Sequence, residues 1–147
     1  MNREIKFRGF QKSWIYGGIS IFQNEATIFD INCIANSAYE VDINSVGQFT
    51  GFKDFEGKEI YEGDILEYVS YMRDENKRKE IVEFDEKCGG WYVHKQADAL
   101  CNVLFEQHDE EWQKKQNFKP SPKHKVRVIG NIFENPELTQ TTSYAVC

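Results

Sequence analysis

A chain of 147 residues carrying a formal net charge of −6 has material for one hydrophobic core, since folding at this size buries about two-thirds of the surface that the extended chain exposes. Neither a metal nor a disulfide staple is required, and the acidic balance argues against a domain whose affinity comes mainly from neutralising phosphates. With 11 Phe, 7 Tyr and 3 Trp against 3 Pro and 2 Met, the composition favours pleated sheet over a helix bundle.

In chain order, Arg3 to Phe7 alternates Arg3, Ile5 and Phe7 with Glu4, Lys6 and Arg8, which predicts a half-solvated strand with an apolar and a charged face. Gly9 is expected to end or bulge it. The run WIYGGISIF from Trp14 to Phe22 predicts two short strand pieces parted at Gly17-Gly18, a tight turn or a close backbone approach. Ile28 to Ile34 predicts a strand, ANS breaks it, and Tyr39, Val41 and Ile43 alternate with polar neighbours as a short strand.

Val46 to Tyr68 (VGQFTGFKDFEGKEIYEGDILEY) is the most regular stretch. It predicts a hairpin closed at DFEG, with Gly57 in the left-handed conformation, then a corner at Gly63-Asp64 and a strand from Ile65. Arg73 to Lys79 (RDENKRK) reads as a charged connector to a strand over Glu80 to Asp85. EKCGG then supplies a glycine turn before the strand WYVH. Gln96 to Lys115 predicts an amphipathic helix, with Ala97, Leu100, Cys101, Leu104, Phe105, His108 and Trp112 at three- and four-residue spacing. The prolines of FKPSPKHK end it. KVRVIGNIF predicts a closing strand bent at Gly130, ENPEL turns the chain away, and TQTTSYAVC reads as a frayed tail.

Several of these segments carry a resemblance. VGQFTG followed by K-D and GKEIYEGDI resembles the signature of the YopX family of small bacterial and prophage-encoded proteins. REIKFRGF resembles that family's start, EFDEKCGGWYV its middle strand pair and VIGNIFENPEL its ending, in the same order. The resemblance implies a mainly β protein with an SH3-like barrel core, and it supplies no catalytic or binding residue to carry over. Together with the pattern above, the expected architecture is a single domain over 1–147, an SH3-like barrel core with an N-terminal β extension and one amphipathic helix.

Chemistry-bearing residues are sparse in pattern. Cys33, Cys88, Cys101 and Cys147 form no C-x-x-C and have no nearby His partner, so no metal and no cofactor is expected. His108 with Asp109, Glu110 and Glu111 has metal-ligand residue types at a spacing that fits no helix metal motif. His94, His108 and His124 lie in three different elements with no G-x-S-x-G nearby, and the hairpin glycines Gly47, Gly51, Gly57 and Gly63 do not form a phosphate loop. Without an apolar h-region or a membrane-length apolar run, a cytoplasmic protein with reduced thiols is expected, and no membrane contact.

Two basic clusters remain, Arg73, Lys77, Arg78, Lys79 and Lys119, Lys123, His124, Lys125, Arg127, with Tyr71, Trp91 and Phe118 near them in sequence. That is the composition of a nucleic-acid groove, or of ordinary solvated loops diluted by Asp74, Glu75 and Glu80. The expectation is a non-catalytic interaction module with an unidentified protein partner, in a form that admits a homo-oligomer. A nucleic-acid-binding accessory factor is the alternative, and an enzyme ranks third. The test between the first two is whether the clusters share a face.

Overall fold

The computed structural model describes residues 2–32, 37–69, 77–93, 98–104 and 126–139. The chain is mainly β, with strands β1 Phe7–Phe10, β2 Trp14–Phe22, β3 Glu25–Asp30, β4 Ala38–Lys53, β5 Glu59–Tyr61, β6 Asp64–Val69, β7 Lys77–Ile81, β8 Glu83–Asp85, β9 Gly90–Val93, β10 Asp98–Ala99 and β11 Arg127–Asn131. A short helix, α1, covers Leu100–Leu104, and a 3-10 turn covers Pro136–Thr139.

The first sheet runs β1-β2-β3-β4-β5, all neighbours antiparallel, and β1 also pairs with β4. β1 is therefore hydrogen-bonded along both edges. The side chains enclosed beside it are Ile15, Ala26, Ile28 and Val41. β11-β6-β7 and β10-β9-β8 form two further three-stranded sheets. They share a larger core of Ile60, Leu66, Tyr68, Val82, Val93, Leu100, Val103, Leu104 and Val126. β4 joins the two cores, since Val41 lies in the first while Phe52 packs on the second.

The hairpin forms as its residues dictate. Asp54 accepts the amides of Glu56 and Lys58 at 2.9 and 2.8 Å through Oδ1. Gly57 sits at φ 82°, where an L side chain is strained. Gly63 and Gly89 also occupy positive φ, at their predicted turns. Asp54 Oδ2 accepts the Val128 amide at 3.0 Å, which ties the hairpin turn to β11.

Several expectations are corrected. The strand predicted over Arg3 to Phe7 begins at Phe7, which packs on the first core as expected, but the charged face is not solvated: Lys6 and Arg8 are 9% and 7% exposed, whereas Ile5 is 47% exposed. Alternation alone does not say which face turns inward, and here each cation finds a carboxylate inside. Gly9 does coincide with a register shift against β4. β2 is a single nine-residue strand through Gly17. A Cβ there would stand 1.8 Å from the Phe29 carbonyl oxygen, so the glycine marks a close backbone approach. The strand around Tyr39 and the hairpin strand are one 16-residue element. Lys77–Lys79 belongs to strand β7, not to a connector.

Within the helix predicted from Gln96, Asp98 and Ala99 instead form β10 and pair with Val93 and Tyr92. Within α1, Leu100, Val103 and Leu104 are buried, whereas Cys101, assigned to the apolar stripe, is exposed. The remainder of that predicted helix, the proline loop, the tail beyond Thr139, and residues Cys33, Cys147, His94, His108 and His124 lie outside the described residues, whereas Thr139 itself ends the 3-10 turn.

Candidate functional site

Four sequence segments meet around Arg8. The residue enters from β1, Trp14 and Tyr16 from β2, Tyr61 and Asp64 from the β5–β6 corner, and Asn131, Phe133 and Glu134 from the end of β11. Arg8 Nη2 lies 2.7 Å from Asp64 Oδ1, the two side chains being 8% and 1% exposed. Asp64 Oδ2 accepts the Tyr61 amide at 2.8 Å, closing the corner in which Gly63 turns the chain. The guanidinium stacks 4.6 Å from the Trp14 ring centroid and 4.9 Å from that of Tyr61. Such contacts suit a guanidinium, which is weakly hydrated and planar.

The surrounding shell is aromatic and paired. Tyr61 packs against Tyr16 and Phe49 with centroids 5.6 and 5.5 Å apart. Trp14 packs against Phe10 and Phe133, and its indole Nε1 donates to the Glu134 carboxylate. Asn131 Nδ2 donates to the same carboxylate at 3.2 Å. On the other side, Lys6 Nζ reaches Glu59 at 2.6 Å and Glu4 at 3.1 Å, while the Tyr61 hydroxyl donates to Glu59 at 2.9 Å.

The electrostatics follow from burial against partners. Burial pushes the Asp64 carboxyl up, and Arg8 with the Tyr61 amide offsets this only in part. For Glu59 burial also acts upward, but the hydrogen bonds from Lys6 and Tyr61 prevail and hold it below the usual range. Burial acts to lower Lys6, yet Glu59 and Glu4 outweigh it and leave the ammonium more basic than usual. Burial, followed by the Glu59 carboxylate, drives the Tyr61 phenol far up. The shifts of Glu59 and Lys6 each favour the charged form, and that of Tyr61 favours the neutral phenol.

Two clefts flank Arg8. One, of about 240 Å³, is lined by residues including Trp14, Ile132 and Phe133, with Glu62 and Glu83 also on its wall. The other, of about 340 Å³, is lined by Lys6, Tyr16, Lys58, Glu59 and Tyr61 among others. No group of three or more His, Cys, Asp or Glu side chains suited to a metal occurs among the described residues.

The basic clusters are partly placed. Arg73, Lys119, Lys123, His124 and Lys125 lie outside the described residues. Arg127 and Lys79 are both in register with Glu67, so these three share one face of the β11-β6-β7 sheet. Lys77, two residues from Lys79, shares that face. Glu67 Oε1 is 3.4 Å from Arg127 Nη2 and 3.7 Å from Lys77 Nζ. Arg78, paired with Tyr68, points to the other face and is 5% exposed, so it is absent from the surface that its sequence neighbours form.

Sequence reasoning missed the Arg8–Asp64 centre. Its signal was present as charges set inside otherwise apolar strand context, FRGF and EGDIL, which an alternation pattern assigns to the solvent side. The segments from β1, from the β5–β6 corner and from the end of β11 are also segments that carry the family resemblance, whereas β2 is not.

No helix of the described residues is long and apolar enough to cross a membrane. No curated protein matches the chain. The family model described as YopX protein matches residues 6–140, so it takes in Arg8, the central hairpin and the end of β11, and the chain belongs to the YopX family.

Proposed function

We propose that this protein is a non-catalytic interaction module of a bacterium or its prophage, working in the cytoplasm on a protein partner through an SH3-like barrel core. The observation that supports this reading is the state of the groups around Arg8. Arg8 with Asp64, Lys6 with Glu59 and Trp14 with Glu134 are each committed to one another, so the strongest chemistry of the site is spent on holding a shape. β1, bonded on both edges, gives that shape a rigid wall, and the clefts beside it offer surface for docking. Affinity capture of host proteins with the intact chain, carried out with and without nuclease, tests the proposal. Nuclease-resistant capture of a defined protein that reassembles from purified components supports it. Capture that vanishes with nuclease overturns it.

A second reading, a nucleic-acid-binding accessory factor, has one observation in its favour. Lys77, Lys79 and Arg127, drawn from both basic clusters, share a sheet face. Glu67 stands among them and takes up two of the three charges, which ranks this reading below the first.

A further inference from the structure

The cleft on the Trp14 side of Arg8 is walled by apolar side chains, Trp14, Ile81, Ile132 and Phe133, with Glu62 and Glu83 beside them. Gly63 donates to the Val82 carbonyl at 2.9 Å, and the two glutamates are the residues flanking that backbone pair. Both are exposed, and among the described residues no lysine or arginine lies within ion-pair distance of either. They differ in this from Glu59, Asp64 and Glu67, each of which has a cation. Arg8 also lines the cleft, with its charge already met by Asp64 at 2.7 Å, so the glutamates are the groove's uncompensated charges.

We propose that this groove docks an extended basic segment of a partner protein, with a lysine or arginine stem lying on the apolar wall and its charge held by Glu62 and Glu83. The proposal rests on the interaction-module reading and names the partner's chemistry. The volume of about 240 Å³ falls short of the roughly 300–1,000 Å³ of small-molecule sites, and suits one long side chain. Long cationic side chains lay their methylenes on apolar surface while the head reaches polar groups. Unpaired carboxylates on a protein of net charge −6 select for a cationic ligand and repel phosphate. Partial desolvation raises the Glu62 carboxyl, the Gln48 amide opposes this, and the nearby Glu83 adds to the rise; an incoming cation offsets the Glu83 contribution.

The test uses the full chain and two short fluorescein-labelled peptides, one alternating valine with lysine and its twin with glutamate for lysine, read by anisotropy. The lysine peptide should bind about tenfold or more tightly than its twin, and Glu62→Gln with Glu83→Gln should weaken it by about tenfold. Glu56→Gln with Glu86→Gln, which removes the same charge elsewhere on the exposed surface, should leave binding within about twofold. Equal binding of the two peptides, binding of neither, or equal losses in the two double variants overturns the proposal. Self-association in sedimentation that disappears with the Glu62/Glu83 variant assigns the groove to a second copy and also overturns it. If that variant still captures the nuclease-resistant host partner as wild type does, the groove assignment fails while the module reading stands. If capture itself depends on nucleic acid, the module reading fails.

Discussion

Arg8 and Asp64 meet at 2.7 Å with both side chains withdrawn from water, one from the first strand and the other from the corner that opens β6. Their ion pair links the first sheet to the second core, and the rings of Trp14 and Tyr61 pack on the guanidinium. Desolvating two charges offsets much of their attraction. The pair should therefore contribute more to specifying geometry than to net stability, and removing both partners should cost less than the two single removals added together.

The first prediction follows. Arg8→Met or Asp64→Leu alone should each destabilise by about 3–5 kcal/mol, because each leaves a buried charge unpaired. The double variant should lose clearly less than the sum of the two. Urea unfolding of the four proteins gives the coupling energy, and additivity would mean that the ion pair is not what holds the junction.

The hairpin glycine supplies the second. Gly57 has φ 82° with nothing within 4 Å of an added Cβ, so Gly57→Ala should cost about 1–2 kcal/mol through backbone strain alone. Gly18 likewise has open space but lies outside the positive-φ region, so Gly18→Ala should be neutral or stabilising by up to about 1 kcal/mol. Melting temperatures that fall equally for both would remove the turn geometry as the cause.

Helix α1 gives a third. Leu104→Ala should destabilise by about 2–5 kcal/mol, as Leu104 is fully buried in the larger core, whereas Cys101→Ala on the exposed side should stay within about 0.5 kcal/mol. Comparable losses from the two would place the helix differently against the core.

What was legible in the sequence and what was not divides along a physical line. Turns announced themselves, because Gly57, Gly63 and Gly89 occupy conformations that few other residues tolerate. Strand existence was also legible, since β-branched and aromatic runs do little else. Facing was not. Lys6 and Arg8 alternate with Ile5 and Phe7 as a solvated strand would, yet their burial depends on Glu59 and Asp64, residues that only the folded chain brings near. Continuity failed similarly: a glycine pair inside WIYGGISIF reads as a break unless the Phe29 carbonyl passing Gly17 is known. The Arg8 centre was hidden for the same reason, being built from long-range pairs between segments that each looked complete alone.

The Lys6–Glu59 pair predicts a pH dependence. The folded pKa of Glu59 is depressed, so its contribution is present above the unfolded value of about 4.3 and is lost as pH falls through the lower folded value. Lys6 is raised, so its contribution is complete below about 10.4 and fades as pH rises through the higher folded value. Glu59→Gln should therefore destabilise across neutral pH and converge on wild type in acid. Asp64 shifts the other way, but it is common to both proteins and cancels in the difference. A wild-type minus variant stability gap that stays constant from neutral pH down to strong acid would refute the assignment.

Nucleic-acid binding should be weak. A surface that neutralised six or more phosphates would lose on the order of a thousandfold in affinity between 50 and 200 mM salt. Here the described cations of that face, Lys77, Lys79 and Arg127, surround Glu67, which contacts two of them, and Arg78 is turned inward. The net charge of −6 further slows the encounter. Anisotropy titrations with mixed-sequence DNA and RNA should therefore show little binding at physiological salt, and Glu67→Gln should strengthen whatever remains by freeing both cations. Tight binding by the wild type that is lost in Lys77→Glu with Arg127→Glu, while the melting temperature holds, would instead make this sheet face the functional surface and leave the acidic groove beside Arg8 as scaffold.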